Sequence, residues 1–244
     1  MNTLIPRLFR QRQRRTVQLP PAAALATPPP IKSPDALCNE LRALIGQTGN
    51  SFFEFGEIVA DDAVAGCRVF ANRHLAIESL PKGGIVAEVG TQTGYFANHI
   101  FKVAVPSRLH LFDLSLEWFD PSLLVEPIRD GSVQIHLGDS ATELSKFPAE
   151  HFDWLYIDGD HSYRGVTRDI AQAVRAVKRD GLLVFNDYTV WSPLEACNYG
   201  VLKAVNDLVN NGEWEFVYLA LHPWGYHDAA LRRREAQRTS RSQD

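Results

Sequence analysis

Cysteine is scarce in this 244-residue chain: Cys38, Cys67 and Cys197, with no Cys-x-x-Cys pair. So small and scattered a set excludes a disulfide framework or a zinc ribbon. It points to a reducing compartment, and a cytoplasmic location is expected. Apolar runs are short as well. None can span a bilayer, so no membrane partner is expected. Glycine (16) and proline (14) are too few for a low-complexity chain. What remains is an ordinary globular composition, 45% hydrophobic and 22% charged, at a length that suits one large domain or two small ones.

Acid is absent from residues 1–34, which hold Arg7, Arg10, Arg12, Arg14, Arg15 and Lys32. From 231 to 244 five arginines face only Glu235 and Asp244, which leaves the middle with 14 cations against 27 anions. A middle this acidic lacks the footprint of a nucleic-acid-binding core, and no nucleic acid partner is expected. The basic ends read as solvated tails. In the first, Leu19-Pro20-Pro21, an Ala run and Pro28-Pro29-Pro30 favour extended, unpacked backbone. An Arg-rich, acid-poor start also suits an organelle-targeting peptide, but it lacks the apolar stretch of a secretory signal.

Helical spacing begins at Ser33-Pro34-Asp35, with Leu37, Leu41, Leu44 and Ile45 on one face. A second helix is expected over Val64–Leu80, stopped by Pro81-Lys82-Gly83-Gly84. The rhythm then changes to short apolar runs: 85–89, 108–112, 133–137, 152–157, 181–185 and 215–221. Helix-like stretches at 95–105, 165–178 and 199–209 separate several of them. Such alternation predicts an α/β doubly wound, Rossmann-like parallel sheet covered on both faces. The end differs: 215–221, the turn His222-Pro223-Trp224-Gly225 and 226–231 read as an antiparallel hairpin closing one edge. The expected layout is a tail over 1–34, one domain with N-terminal helices over 35–231, and a basic tail over 232–244.

In open α/β sheets, ligands bind beyond the carboxyl ends of the strands. Glu88-Val89-Gly90-Thr91-Gln92-Thr93-Gly94 follows the first run, and its glycines allow a tight turn into a helix N-terminus. Gln92 stands where a dinucleotide fingerprint needs glycine, and no Gly-Lys-Ser/Thr phosphate loop is present, so both nucleotide readings weaken. Asp113 closes the second run 23 residues after Gly90, near the spacing of an acid that grips ribose hydroxyls. Asp139 and Ser140 follow the third and can meet an adenine amine and ring nitrogen, or simply cap a helix. After the fourth and fifth runs come Ile157-Asp158-Gly159-Asp160-His161-Ser162-Tyr163 and Asn186-Asp187-Tyr188. Asp158 and Asp187 on neighbouring strands would repel unless a cation lies between them. With the Asn186 carbonyl they suit magnesium; as a plain alternative, the acids cap the helices that follow.

These motifs, Glu-x-Gly-x-x-x-Gly, the acid at 113, Gly-Asp-Ser, Ile-Asp-Gly-Asp-His-Ser-Tyr and Asn-Asp-Tyr, resemble those of class I S-adenosylmethionine-dependent methyltransferases. Within that group the chain looks like the macrocin-type O-methyltransferase branch over about residues 60–231. The resemblance implies seven strands in the order 3-2-1-4-5-7-6, strand seven antiparallel. It implies that Glu88, Gly90, Thr91 and Gly94 hold the methionine portion of S-adenosylmethionine, Asp113 the ribose, and Asp139 and Ser140 the adenine. Asp158 and Asp187 would bind Mg2+, and Asp160 or His161 would serve as base. One departure is Asn186, where several metal-dependent relatives carry Asp, one charge more.

The activity expected is metal-assisted O-methylation of a small-molecule hydroxyl, by a monomer or a homo-oligomer. Trp191, Tyr199 and Trp224 are candidate acceptor contacts; His222 and His227 read as structural or exposed. The alternatives are a non-catalytic S-adenosylmethionine-binding module, a Rossmann dehydrogenase, and a regulator that places its basic tail on nucleic acid.

Overall fold

The computed structural model describes residues 33–49, 53 and 55–235. The basic segments 1–32 and 236–244 lie outside the described residues. The chain divides into two compact units, one ending at residue 52 and the other running from 53 to 244. In the first, Ser33 caps helix α1 (Pro34–Thr48) by accepting a hydrogen bond from the Ala36 N–H at 3.2 Å.

The second unit departs at once from the continuous helix expected over Val64–Leu80. It breaks into α2 (Asp61–Val64), β1 (Arg68–Phe70) and α3 (Arg73–Glu78). The reason is local punctuation joined to tertiary pairing. Asn72 caps α3 by accepting from Leu75 N–H at 3.0 Å, and Arg68, Val69 and Phe70 pair with a strand 150 residues away. Sheet pairing outweighs the modest preference of such residues for helix.

Next come β2 (Ile85–Val89), α4 (Tyr95–Ala104), β3 (Arg108–Asp113), α5 (Val125–Asp130), β4 (Val133–Leu137), α6 (Ser140–Leu144) and β5 (Phe152–Ile157). They are followed by α7 (Tyr163–Ala176), β6 (Val177–Phe185), a small ribbon β7 (Trp191–Ser192) and β8 (Cys197–Asn198), α8 (Val201–Asn210), β9 (Trp214–Ala220) and β10 (Asp228–Arg233). The main sheet has the order β1-β9-β10-β6-β5-β2-β3-β4. Among the described residues it holds eight strands rather than seven: β4-β3-β2-β5-β6-β10-β9 run in the order expected above, and β1 is an added edge strand. β1 runs parallel to β9 and takes the edge, and β10 lies inside, antiparallel to both β6 and β9. Its burial explains this: Asp228, Ala229, Ala230 and Leu231 are all shielded, as only an interior strand requires. β10 also continues past the expected domain end at 231. Arg233 donates to the Val174 and Lys178 carbonyls, and Arg234 pairs with Asp62 at 2.7 Å.

Helices pack on both faces of the sheet. One face gathers Phe112, Leu155, Ile157 and Phe185 against α7 and α8; the other gathers Trp154, Tyr156 and Val184 against α3 and α4. β5 thus feeds alternate side chains to two cores, which is why it reads as one continuous apolar run. Burial of each large side chain contributes about 1.5–3 kcal/mol. The register places the strand ends level: Val89 pairs with both Phe112 and Ile157, and Ile157 pairs with Phe185. Gly90, Asp113, Asp158 and Asn186 therefore emerge along one rim.

Candidate active site

That rim opens into a cavity of about 800 Å³, lined by residues from every strand end between β4 and β6 and by the β9–β10 turn. Gly90 forms its floor with φ +84°, and a Cβ there would overlap the Asp158 carbonyl oxygen. Only glycine fits. Gly94, φ +83°, leads into α4 with the Phe119 ring pressed against it. Gln92, where a dinucleotide loop would need glycine, takes φ +46°, and its N–H donates to Asp113 Oδ2 at 2.7 Å. Asp113 Oδ1 accepts from Ser115 N–H at 3.0 Å. Two backbone bonds fix this carboxylate while each oxygen keeps a lone pair for a diol.

Glu88 and Thr91 are almost wholly buried at the cavity wall, and Glu88 Oε2 and Thr91 Oγ1 have no hydrogen-bond partner. Burial, and then the nearby Asp158 charge, push the Glu88 carboxyl well above the usual range. Orphaned buried oxygens beside a cradle that a Cβ would fill are the features expected of a site for a bound amino acid nucleoside. The cavity fits S-adenosylmethionine on that ground.

The adenine end is more constrained than the sequence suggested. Asp139 caps α6, accepting from Thr142 N–H at 2.9 Å, and also takes Arg168 Nη2 at 2.9 Å. The Ser140 hydroxyl donates to Asp169, a buried α7 acid whose carboxyl desolvation raises to about 6. Ser140 is thus left only with acceptor capacity for a ring amine.

Asp158, His161 and Asp187 converge. His161 Nε2 is 3.3 Å from Asp158 Oδ1, out of hydrogen-bond alignment, and 3.7 Å from Asp187 Oδ2. Its ring stacks on Tyr199 at 4.5 Å and 10°. Burial pulls the imidazole pKa down, but Asp158, Asp187 and Glu195 outweigh it, so the net shift is upward. Desolvation, with Asp158 as a like charge, raises Asp187 to about 6. Asp187 sits at φ +55°, a left-handed position that aspartate tolerates better than most side chains. Asp160 lines the cavity but is held by its own loop. Its Oδ1 accepts from Ser162 N–H at 2.9 Å, and its carboxyl packs over Gly165 at the start of α7.

The expected magnesium site needs correction. Asn186 turns its amide nitrogen, not its carbonyl, to Asp158 at 2.8 Å; its Oδ1 accepts from Arg73 at 3.2 Å and lies 3.1 Å from the Tyr156 hydroxyl. Among the described residues no group of three or more His, Cys, Asp or Glu is arranged to hold a metal ion. The group between the two carboxylates is the His161 imidazole, and the donors present do not fit Mg2+.

Tyr199 lines the cavity as expected, whereas Trp191 and Trp224 do not. His222 does line it, contrary to the structural reading, while His227 Nδ1 accepts from His222 N–H within the turn. Sequence reasoning missed Arg73, Asp169, Glu195 and Tyr226, which also face the cavity. Of these only Arg73 carried a signal, the Asn72 cap just before it.

Residues 87–188 match a family model described as a methyltransferase domain. Among solved structures, the pyocyanin biosynthetic protein PhzM aligns at TM-score 0.52 and 19% identity, over 67% of this chain and 55% of its own. The match therefore spans little more than half of PhzM. A Corynebacterium glutamicum protein aligns at TM-score 0.50 and 15% identity, over 83% of this chain and 99% of its own. An rRNA methylase from Streptococcus thermophilus aligns at 0.48 and 14% identity, over 66% of this chain and 94% of its own. No curated protein sequence matches the chain.

The fold is that of the class I S-adenosylmethionine-dependent methyltransferases. These likenesses show the fold, and none of them singles out the macrocin-type branch. They also correct one expectation: an rRNA methylase has this fold, so the exclusion of nucleic acid drawn from the acidic middle does not stand. Among the described residues, no helix is long and apolar enough to cross a membrane.

Proposed function

We propose that the chain binds S-adenosylmethionine along the rim and methylates an acceptor oxygen that His161 deprotonates, without magnesium. The observation that carries this reading is the position of His161 Nε2. It is buried in the cavity, free of an aligned partner, and flanked by two carboxylates that stabilise the imidazolium formed when it takes a proton. When bound, S-adenosylmethionine supplies a methyl group on a positively charged sulfur. His161 Nε2 would take the acceptor O–H proton, and the cofactor would supply the methyl group to that oxygen and depart as S-adenosylhomocysteine. The positive charge moves from sulfur to the imidazole in this step, so alignment and deprotonation are the main demands on the protein. Asp113 holds the ribose and Asp139 the adenine amine, while Asp160 organises α7 and takes no proton.

Calorimetry with S-adenosylhomocysteine, followed by a screen of small-molecule and RNA hydroxyl acceptors, tests the reading. His161→Gln should keep nucleoside affinity and lose transfer by about a hundredfold or more. Full transfer by that variant removes His161 as base. Absence of nucleoside binding by the unaltered protein rejects the reading outright, and tight binding with no transfer to any acceptor would make the chain a non-catalytic binding module.

A further inference from the structure

We propose that Arg73, opposite Glu88, receives the α-carboxylate of the methionine end, so that the two side chains clamp an amino acid zwitterion. The inference rests on the cofactor reading above and adds the residue that selects for the amino acid portion.

Arg73 opens α3 and reaches the cavity from outside the strand-end loops. Its guanidinium lies over the Phe96 ring at 4.4 Å, and Phe96 is in the first turn of α4, directly after the Gly90–Gly94 turn. This puts the charge in the cavity against the first turn of the helix that the Gly90–Gly94 turn leads into. Its hydrogen-bond partners are neutral: Asn186 Oδ1 at 3.2 Å and, more distantly, the Tyr156 hydroxyl at 3.5 Å, both from Nη1. Among the described residues no carboxylate lies within 4 Å of it. A guanidinium has five N–H donors in a fork that matches a carboxylate. Here most of that fork is unspent, on a side chain already partly withdrawn from water.

Glu88 is the complement. It is 1% exposed, and its Oε2 has no partner. A cavity that holds an orphaned carboxyl oxygen and an unpaired guanidinium, too far apart to satisfy each other, is matched by a ligand with an ammonium and a carboxylate on one carbon. Ribose and adenine contacts account for neither group, and acceptor-side residues such as Tyr199 and Tyr226 are contributed by other loops.

Two probes separate the parts: S-adenosylhomocysteine, which carries the amino acid end, and 5′-methylthioadenosine, which lacks it. By calorimetry Arg73→Met should weaken S-adenosylhomocysteine about tenfold or more and leave 5′-methylthioadenosine unchanged. Arg73→Lys should give an intermediate loss on the first probe and none on the second, and it decides the matter if the Met variant does not fold. Unchanged affinity for S-adenosylhomocysteine, or an equal loss on both probes, overturns the assignment. If the unaltered protein binds 5′-methylthioadenosine as tightly as S-adenosylhomocysteine, the clamp is refuted while the cofactor site stands. If it binds neither, both fall.

Discussion

The Tyr156 hydroxyl lies 2.8 Å from the Asp228 carboxyl, inside the sheet and directly beneath the cavity. The hydroxyl donates to that carboxyl, and desolvation raises Asp228 to about 8. The same hydroxyl lies 3.1 Å from Asn186 Oδ1, and the Asn186 amide nitrogen donates to Asp158 at 2.8 Å.

The upward shift of Asp228 has a pH signature. Unfolded Asp228 loses its proton near pH 4, whereas the folded group keeps it to about 8. The folded state binds more protons across that window, so this group's contribution to stability falls as pH rises from about 4 to 8. Asp228→Asn, which keeps a donor, should flatten that fall in urea midpoints measured at several pH values. Tyr156→Phe should cost about 1–3 kcal/mol at every pH, because it strands both neighbours. Identical pH slopes in Asp228→Asn and the unaltered protein would mean the acid is ionised throughout.

His161 should set the acid limb of the pH–rate profile. Its pKa is raised net above 6.5, so transfer should fall as pH drops through a midpoint higher than that of a free imidazole. Asp158→Asn removes the nearer negative charge and should move the limb to lower pH. A limb that stays in place would assign it to another group.

Because an imidazole stands between Asp158 and Asp187, EDTA should leave transfer unchanged. Loss of transfer in EDTA with recovery on adding magnesium would restore the carboxylates to a metal.

Gly90→Ala combines a left-handed backbone with overlap of the Asp158 carbonyl and should cost about 2–4 kcal/mol, with loss of S-adenosylhomocysteine affinity. An unaltered melting curve would contradict the packing described for this turn.

On the far side of the sheet, His110 Nδ1 is 2.9 Å from His136 Nε2, with His151 nearby. Burial, and then His136, lower His110 to about 3. The unfolded imidazole protonates near 6.5, so the stability from this group is full above that value and is lost as pH falls toward 3. This window overlaps that of Asp228 with opposite sign. His110→Gln should remove the acid-side loss alone, read in denaturant midpoints between pH 7 and 4.

The strands flanking the site were legible because burial on both faces writes a continuous apolar run, as in 85–89 and 152–157. The motifs that follow them were legible for the same reason, since strand ends announce where chemistry can sit. Other features were not. The break at Gly66 and Asn72 looks locally like helix, and only the partner strand β9 decides against it. Arg73 reads as a solvated helical charge, and Asp228 as an exposed acid in a hairpin, because neither environment is encoded nearby in sequence. Asn186 could be placed at the rim but not oriented: which end of its amide faces Asp158 is set by Arg73 and Tyr156, contributed by distant elements.

β10 is the one element that joins β1 and β9 to the remaining strands of the sheet, and it is translated after all of them. A ribosome making this chain therefore carries two unjoined sheet fragments until residues 228–233 have left its exit tunnel. Until that moment the β6 edge is bare, and a growing chain stalled upstream exposes it to any passing strand. Demand for a holdase should accordingly be greatest before residues 228–233 emerge.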